Sequence, residues 1–67
     1  MKETGFLAIA EVYNNEGDSE FSKREYNSAI NHYTEGIKVN CKDESLNSML
    51  FTNRATVYLY LGINVFS

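Results

Sequence analysis

An all-α fold of three helices, the first two forming an antiparallel hairpin, is what this sequence predicts, and three observations predict it. Small or apolar residues recur every three or four positions: Phe6, Ala10, Tyr13, Gly17 and Phe21, then Tyr26, Ala29, Ile30, Tyr33 and Ile37, then Leu46, Leu50 and Val57. That spacing lines one side of a helix turning once per 3.6 residues. Proline is absent, so no position forces a break, and boundaries follow from periodicity and turn residues. Two polar stretches, SKRE (22–25) and NCKDES (40–45), interrupt the pattern and read as connectors.

The first stripe predicts a helix from about Phe6 to Ser22. The second predicts a helix from Glu25 or Tyr26 to about Asn40, carried by NSAINHYTEGIKVN. Asp43 can then accept a backbone N–H as an N-cap, and Glu44 suits the positive end of the next helix. The third helix is predicted from about Ser45 to Leu61. Leu46, Leu50, Asn53 and Val57 mark one stripe, with Phe51, Ala55 and Tyr58 beside it. Gly62 is placed to end this helix.

The chain has 67 residues and a formal net charge of −3, with 43% hydrophobic and 22% charged residues. It is one small domain at most. At this size burial gains and chain-entropy losses nearly cancel. The one cysteine cannot make an internal disulfide, and one His with one Cys is too few for a structural metal site. The negative charge argues against nucleic acid or anionic lipid as a partner. The apolar run at residues 55–66 is shorter than the roughly 20 residues a membrane-spanning helix needs. The apolar block at Phe6 to Ala10, flanked by Glu3 and Glu11, is too short for a signal peptide. A cytosolic or nuclear setting is expected.

Small residues sharpen the fold. Gly17 lies mid-helix, where it costs about 1 kcal/mol relative to Ala, and Ala29 and Gly36 lie on or beside the second stripe. Small side chains there let two helix backbones approach closely, with Tyr13, Phe21 and Tyr33 filling the space around the crossing. Ala29 follows Gly17 by twelve residues, and Tyr33 follows Ala29 by four. This pattern resembles the tetratricopeptide repeat, a helix–turn–helix unit of 34 residues. Gly17, Ala29 and Tyr33 match its small, Ala and aromatic positions. Phe21 and Tyr26 match the aromatics around the turn, and Gly36 a later small position. A second helix A is similar to the FTNRATVYLYLG segment, with Ala55 at the small position and Tyr58 at the aromatic. Gly17 to Ala55 spans 38 residues, four more than the repeat, and the excess falls in CKDESLNSM. The repeat's terminal Pro has no counterpart near Cys41.

The resemblance covers about residues 12–62, with YTEGIK and TNRA its most specific pieces, and is nearest to co-chaperone members with a lengthened connector. It implies one partial domain over 1–67: a first repeat at about 6–40, helix A of a second at 45–61, and a divergent tail at 62–67. It further implies a module binding the C-terminal tails of heat-shock chaperones of the Hsp70 and Hsp90 classes. In such members a carboxylate clamp holds the tail by charge-assisted hydrogen bonds. The clamp-equivalent positions here are Asn14, Asp18 and Asn53. Asn14 stands where the family has Lys, Asp18 where it has Asn, and Asn53 alone keeps its identity. Weakened tail binding is therefore expected. The alternative is a truncated segment with little function of its own, because about three repeats are normally needed for independent stability.

Nothing in the sequence argues for catalysis or a cofactor. His32 is expected on the surface, away from the Ala29–Tyr33 stripe, and Cys41 is expected as a plain free thiol. Glu16, Glu20, Glu25, Asp43 and Glu44 are expected as solvated faces and caps, and Lys23-Arg24 as a turn. The third helix is expected to leave Tyr58, Leu61, Ile63, Val65 and Phe66 uncovered, and self-association or a partner would relieve that exposure.

Overall fold

The computed structural model describes the backbone of residues 2–66 and the side chains of residues 5–62. Three helices follow one another: α1 (Lys2–Ser22), α2 (Tyr26–Val39) and α3 (Glu44–Phe66). α2 packs against both neighbours, while α1 and α3 touch over a smaller area. The arrangement is elongated, 47 × 18 × 14 Å.

Each connector is tight for a local reason. At the end of α1, Arg24 takes the left-handed conformation, with φ 65°. Its N–H donates to the Phe21 carbonyl, and the Glu25 N–H donates to the Glu20 carbonyl. These two bonds form a Schellman closure, usually built on Gly, that satisfies carbonyls the helix end leaves open. α2 ends on Asn40, also left-handed at φ 51°, a residue type that tolerates this backbone. Asp43 caps α3 as expected: its Oδ1 accepts the Leu46 N–H at 2.9 Å. Asn47 reaches back from the first turn of α3 to the Cys41 carbonyl at 2.7 Å, tying the connector to the helix it precedes.

The core is thin. Ala10, Ala29, Tyr33, Cys41, Leu46, Leu50 and Val57 are buried, with Leu7, Phe21, Tyr26, Ile30, Ile37 and Val39 packed around them. Gly17 is a seat for an aromatic ring: a β-carbon there would fall 2.7 Å from Tyr33 Cζ. Gly36 is a second seat, its β-position 2.8 Å from a terminal methyl of Leu50 and 3.2 Å from Tyr13 Cβ. All three helices therefore meet at Gly36. Phe21, Tyr26 and Tyr60 close the far end as an aromatic cluster, with the Phe21 and Tyr60 rings 5.1 Å apart edge to face.

The structure corrects four expectations. Gly62 does not end α3, which runs on to Phe66; a C-terminal stop needs a left-handed glycine, and Gly62 has no positive φ. Ala55 is exposed rather than packed, and Tyr58 is exposed as well, which fits its expected place among the uncovered third-helix residues and not a packing role. α3 turns its Leu46, Leu50 and Val57 side to α2, and no described residue lies over the opposite side. Phe6 is 43% exposed, because the α1 stripe meets α2 from Ala10 onward. His32 is half-buried, its Nδ1–H donating to the Ser28 carbonyl at 2.9 Å. Of the uncovered third-helix residues, Ile63, Val65 and Phe66 have side chains outside those described.

Candidate functional site

α1 and α3 are held side by side by α2, and where they meet two amides face each other. Asn14 comes from the middle of α1 and Asn53 from the middle of α3. Asn53 Nδ2 donates to Asn14 Oδ1 at 2.9 Å, and Asn14 Nδ2 donates to the Met49 sulfur at 3.5 Å. Asn14 is buried and Asn53 half-buried. Within a thin apolar core this pair fixes register, because sliding α3 by one turn would strand a buried amide at a cost of about 1–3 kcal/mol. Among the described residues no buried side-chain polar atom lacks a partner.

Asp18 lies one turn beyond Asn14 on α1. It is exposed, and its Oδ1 accepts a short hydrogen bond from the Tyr33 hydroxyl. The phenol thereby anchors the ring that fills the Gly17 seat. Of the three clamp-equivalent residues, then, Asn14 and Asn53 are brought together and Asp18 is tied to α2 instead. Sequence reasoning missed Met49 at this junction, Tyr60 in the aromatic cluster with Phe21 and Tyr26, and Arg54 between α3 and α2. Arg54 Nη1 donates to Thr34 Oγ1 at 3.2 Å, and its guanidinium lies 5.5 Å from the Phe51 ring centre. Only the partner helices could have identified them.

Burial raises the Tyr33 phenol above its usual value near 10, and the bond to the Asp18 carboxylate and its negative charge add to the shift. The folded chain thus keeps a proton that the unfolded chain gives up. Stability is fully present below pH about 10 and is lost as pH rises beyond it. Urea unfolding midpoints are expected to fall steeply from about pH 10 upward, and Tyr33→Phe to flatten that fall. Equal slopes in the two proteins would mean the proton is not held at Tyr33.

An open depression of about 540 Å³ lies between Phe6, on α1, and the α2–α3 connector, lined also by Val39, Asn40, Cys41, Lys42, Glu44 and Asn47. Cys41 is a free thiol and buried. Among the described residues there is no group of three His, Cys, Asp or Glu side chains able to hold a metal ion, and no helix long and apolar enough to cross a membrane.

No protein-family profile matches the chain, and no solved structure matches it. It is similar to tetratricopeptide repeat protein 4 of Homo sapiens, 45% identical over 53 residues, covering 79% of this chain and 14% of that protein. It is also similar to the Hsp70/Hsp90 co-chaperone CNS1 of Saccharomyces cerevisiae, 34% identical over 53 residues, again 79% and 14%. A third relative is the DnaJ homolog subfamily C member 7 homolog of Dictyostelium discoideum, 33% identical over 56 residues, 84% of this chain and 10% of that protein. The chain therefore spans a small part of the length of these relatives.

Proposed function

We propose a function on the premise that this chain belongs to the tetratricopeptide repeat family: it is a protein-interaction segment of co-chaperone type whose α1–α3 side receives an extended peptide. The observation that carries this reading is the Asn14–Asn53 amide pair at the junction of α1 and α3. With α1 and α3 fixed in register by that pair, the half-buried Asn53 and the exposed Asp18 lie along one edge, and polar groups so placed can hydrogen-bond a peptide's backbone. No catalysis is part of this reading.

The chemistry of the edge sets the affinity. A chaperone C-terminal tail brings carboxylates, and the exposed Asp18 meets them with like charge. Asn14 has no positive charge to offset it, and its amide is already engaged with Asn53 and Met49. Binding of Hsp70- or Hsp90-class C-terminal tails is therefore proposed as weak, with dissociation constants above about 100 μM, less than about 5.5 kcal/mol.

Asp18→Asn is the direct test, because the amide keeps an acceptor for the Tyr33 hydroxyl while removing the charge. In a titration of a fluorescent chaperone C-terminal peptide, Asp18→Asn is expected to bind about two- to fivefold tighter, the scale of one solvent-screened charge contact. The gain is expected to shrink in high salt. Micromolar binding by the unaltered chain, or no gain in the variant, would overturn the reading.

A further inference from the structure

We propose that the α1–α3 edge prefers an extended peptide carrying two basic side chains three positions apart. This rests on the reading of that edge as a peptide seat and names the class of peptide it takes. Glu11, Asn14 and Asp18 follow one another by three and four residues on one side of α1. Asn14 meets α3 through Asn53 and Met49. Glu11 and Asp18 flank it, one turn to either side, and both are exposed.

The charge along the edge has one sign. Between Gly5 and Ser22, α1 carries Glu11, Glu16, Asp18 and Glu20 and neither Lys nor Arg. From Ser45 to Gly62 the only charged residue of α3 is Arg54, which turns to Thr34 of α2 and to Phe51. Neither Glu11 nor Asp18 has a cationic partner among the described residues. The Tyr33 hydroxyl holds the Asp18 carboxylate in place without neutralising it.

Two exposed side chains complete the edge. α1 and α3 run in the same direction, since Asn14 meets Asn53 and, seven residues on in both helices, Phe21 meets Tyr60. Met49 therefore lies toward the Glu11 end and Tyr60 toward the Asp18 end, 49% and 46% exposed. The aliphatic stem of a Lys or Arg can cover the thioether, and its cation is drawn to the face of the tyrosine ring.

Spacing then fixes the peptide. Glu11 and Asp18 are seven residues apart, about 10.5 Å along the helix at roughly 1.5 Å per residue. A polyproline-type chain returns a side chain to the same side every third residue, about 9.3 Å on. Basic residues at i and i+3 of such a peptide reach both carboxylates while its backbone passes the half-buried Asn53. Glutamates at the same two positions meet like charge twice.

The test is a titration of the full chain with two fluorescent, terminally capped peptides of equal length, one with Lys at i and i+3 and one with Glu at both. The Lys peptide is expected to bind below about 1 mM and at least about tenfold tighter than the Glu peptide. Asp18→Asn is expected to weaken it about two- to fivefold, the opposite sign to the effect on a chaperone tail, and Glu11→Gln to do the same. Moving the second Lys to i+2 is expected to cost about as much. Glu16→Gln removes the same charge from the opposite side of α1 and is expected to change binding less than about 1.5-fold. Circular dichroism checks that each variant stays helical. Absence of Lys-peptide binding at about 1 mM, equal affinity for the two peptides, indifference to the Lys spacing, or an equal loss in Glu16→Gln would overturn the proposal. If one of these results comes with tighter chaperone-tail binding in Asp18→Asn, the edge remains a peptide seat and only its basic preference falls. If no peptide responds to Asp18→Asn, the seat falls as well.

Discussion

Leu50→Ala is expected to remove about 3 kcal/mol of stability, a large part of what a chain of this length possesses. Leu50 is fully buried, and its methyl groups sit over Gly36 beside Tyr13, where α1, α2 and α3 converge. Truncating a buried Leu costs about 2–5 kcal/mol, and more when the surroundings cannot collapse into the cavity. Here collapse is obstructed on one side by the backbone of Gly36, which has no side chain to rotate inward. At roughly 0.05–0.15 kcal/mol per residue the total stability is only a few kcal/mol to about 10. The loss is therefore about a third or more of the total. Urea titration followed by circular dichroism measures it, with Phe51→Ala as the control, since a half-exposed ring away from the junction is expected to cost far less. A Leu50→Ala loss under 1 kcal/mol would mean that α3 does not rest on Gly36 as described.

The three helices were legible because each has one side that recurs every three or four residues, and because the second connector carries residues suited to its ends, Asn40 and Asp43. Asp43 could be recognised as a cap from its place before an apolar run, and it caps Leu46. The extent of α3 was not legible. A glycine stop needs a left-handed backbone, and the residues after Gly62 include neither Pro nor a second Gly to prevent the helix continuing. Ala55 and Tyr58 show a second limit. α3 is apolar on more than one side, so periodicity finds stripes without saying which one α2 covers; Leu46, Leu50 and Val57 join the core, and Leu50 reaches Gly36.

The site was legible in part and for a similar reason. Asn14, Asp18 and Asn53 could be picked out by resemblance, but their partners lie far away in the chain. Asn14 bonds to Met49 and Asn53, 35 and 39 positions on, and Asp18 to Tyr33, 15 positions on. Those pairings are products of how α2 holds its neighbours, and no local pattern encodes them. The Gly17 seat was the reverse case: its spacing to Ala29 and Tyr33 pointed to a close crossing, and the Tyr33 ring occupies the space a side chain would need.

Gly17→Val follows from that geometry, with an expected loss of about 2–3 kcal/mol. A β-carbon at Gly17 would stand 2.7 Å from Cζ of Tyr33 and nearer still to Cδ1 and Cε1. The ring has little freedom to retreat, since Tyr33 is 1% exposed and its hydroxyl is held by Asp18. Helix propensity opposes the loss, but Val improves on Gly by only a few tenths of a kcal/mol. Overpacking a closed site costs about 1–3 kcal/mol, occasionally more, and therefore decides the sign. Gly62→Ala supplies the contrast: nothing lies within 4 Å of its β-position inside α3, so only propensity acts and a gain of up to about 1 kcal/mol is expected. Thermal melts of both variants read the two signs directly. If Gly17→Val melts with or above the unaltered chain, the Tyr33 ring is not seated on Gly17, and the crossing that holds Asn14 beside Asn53 is not built this way.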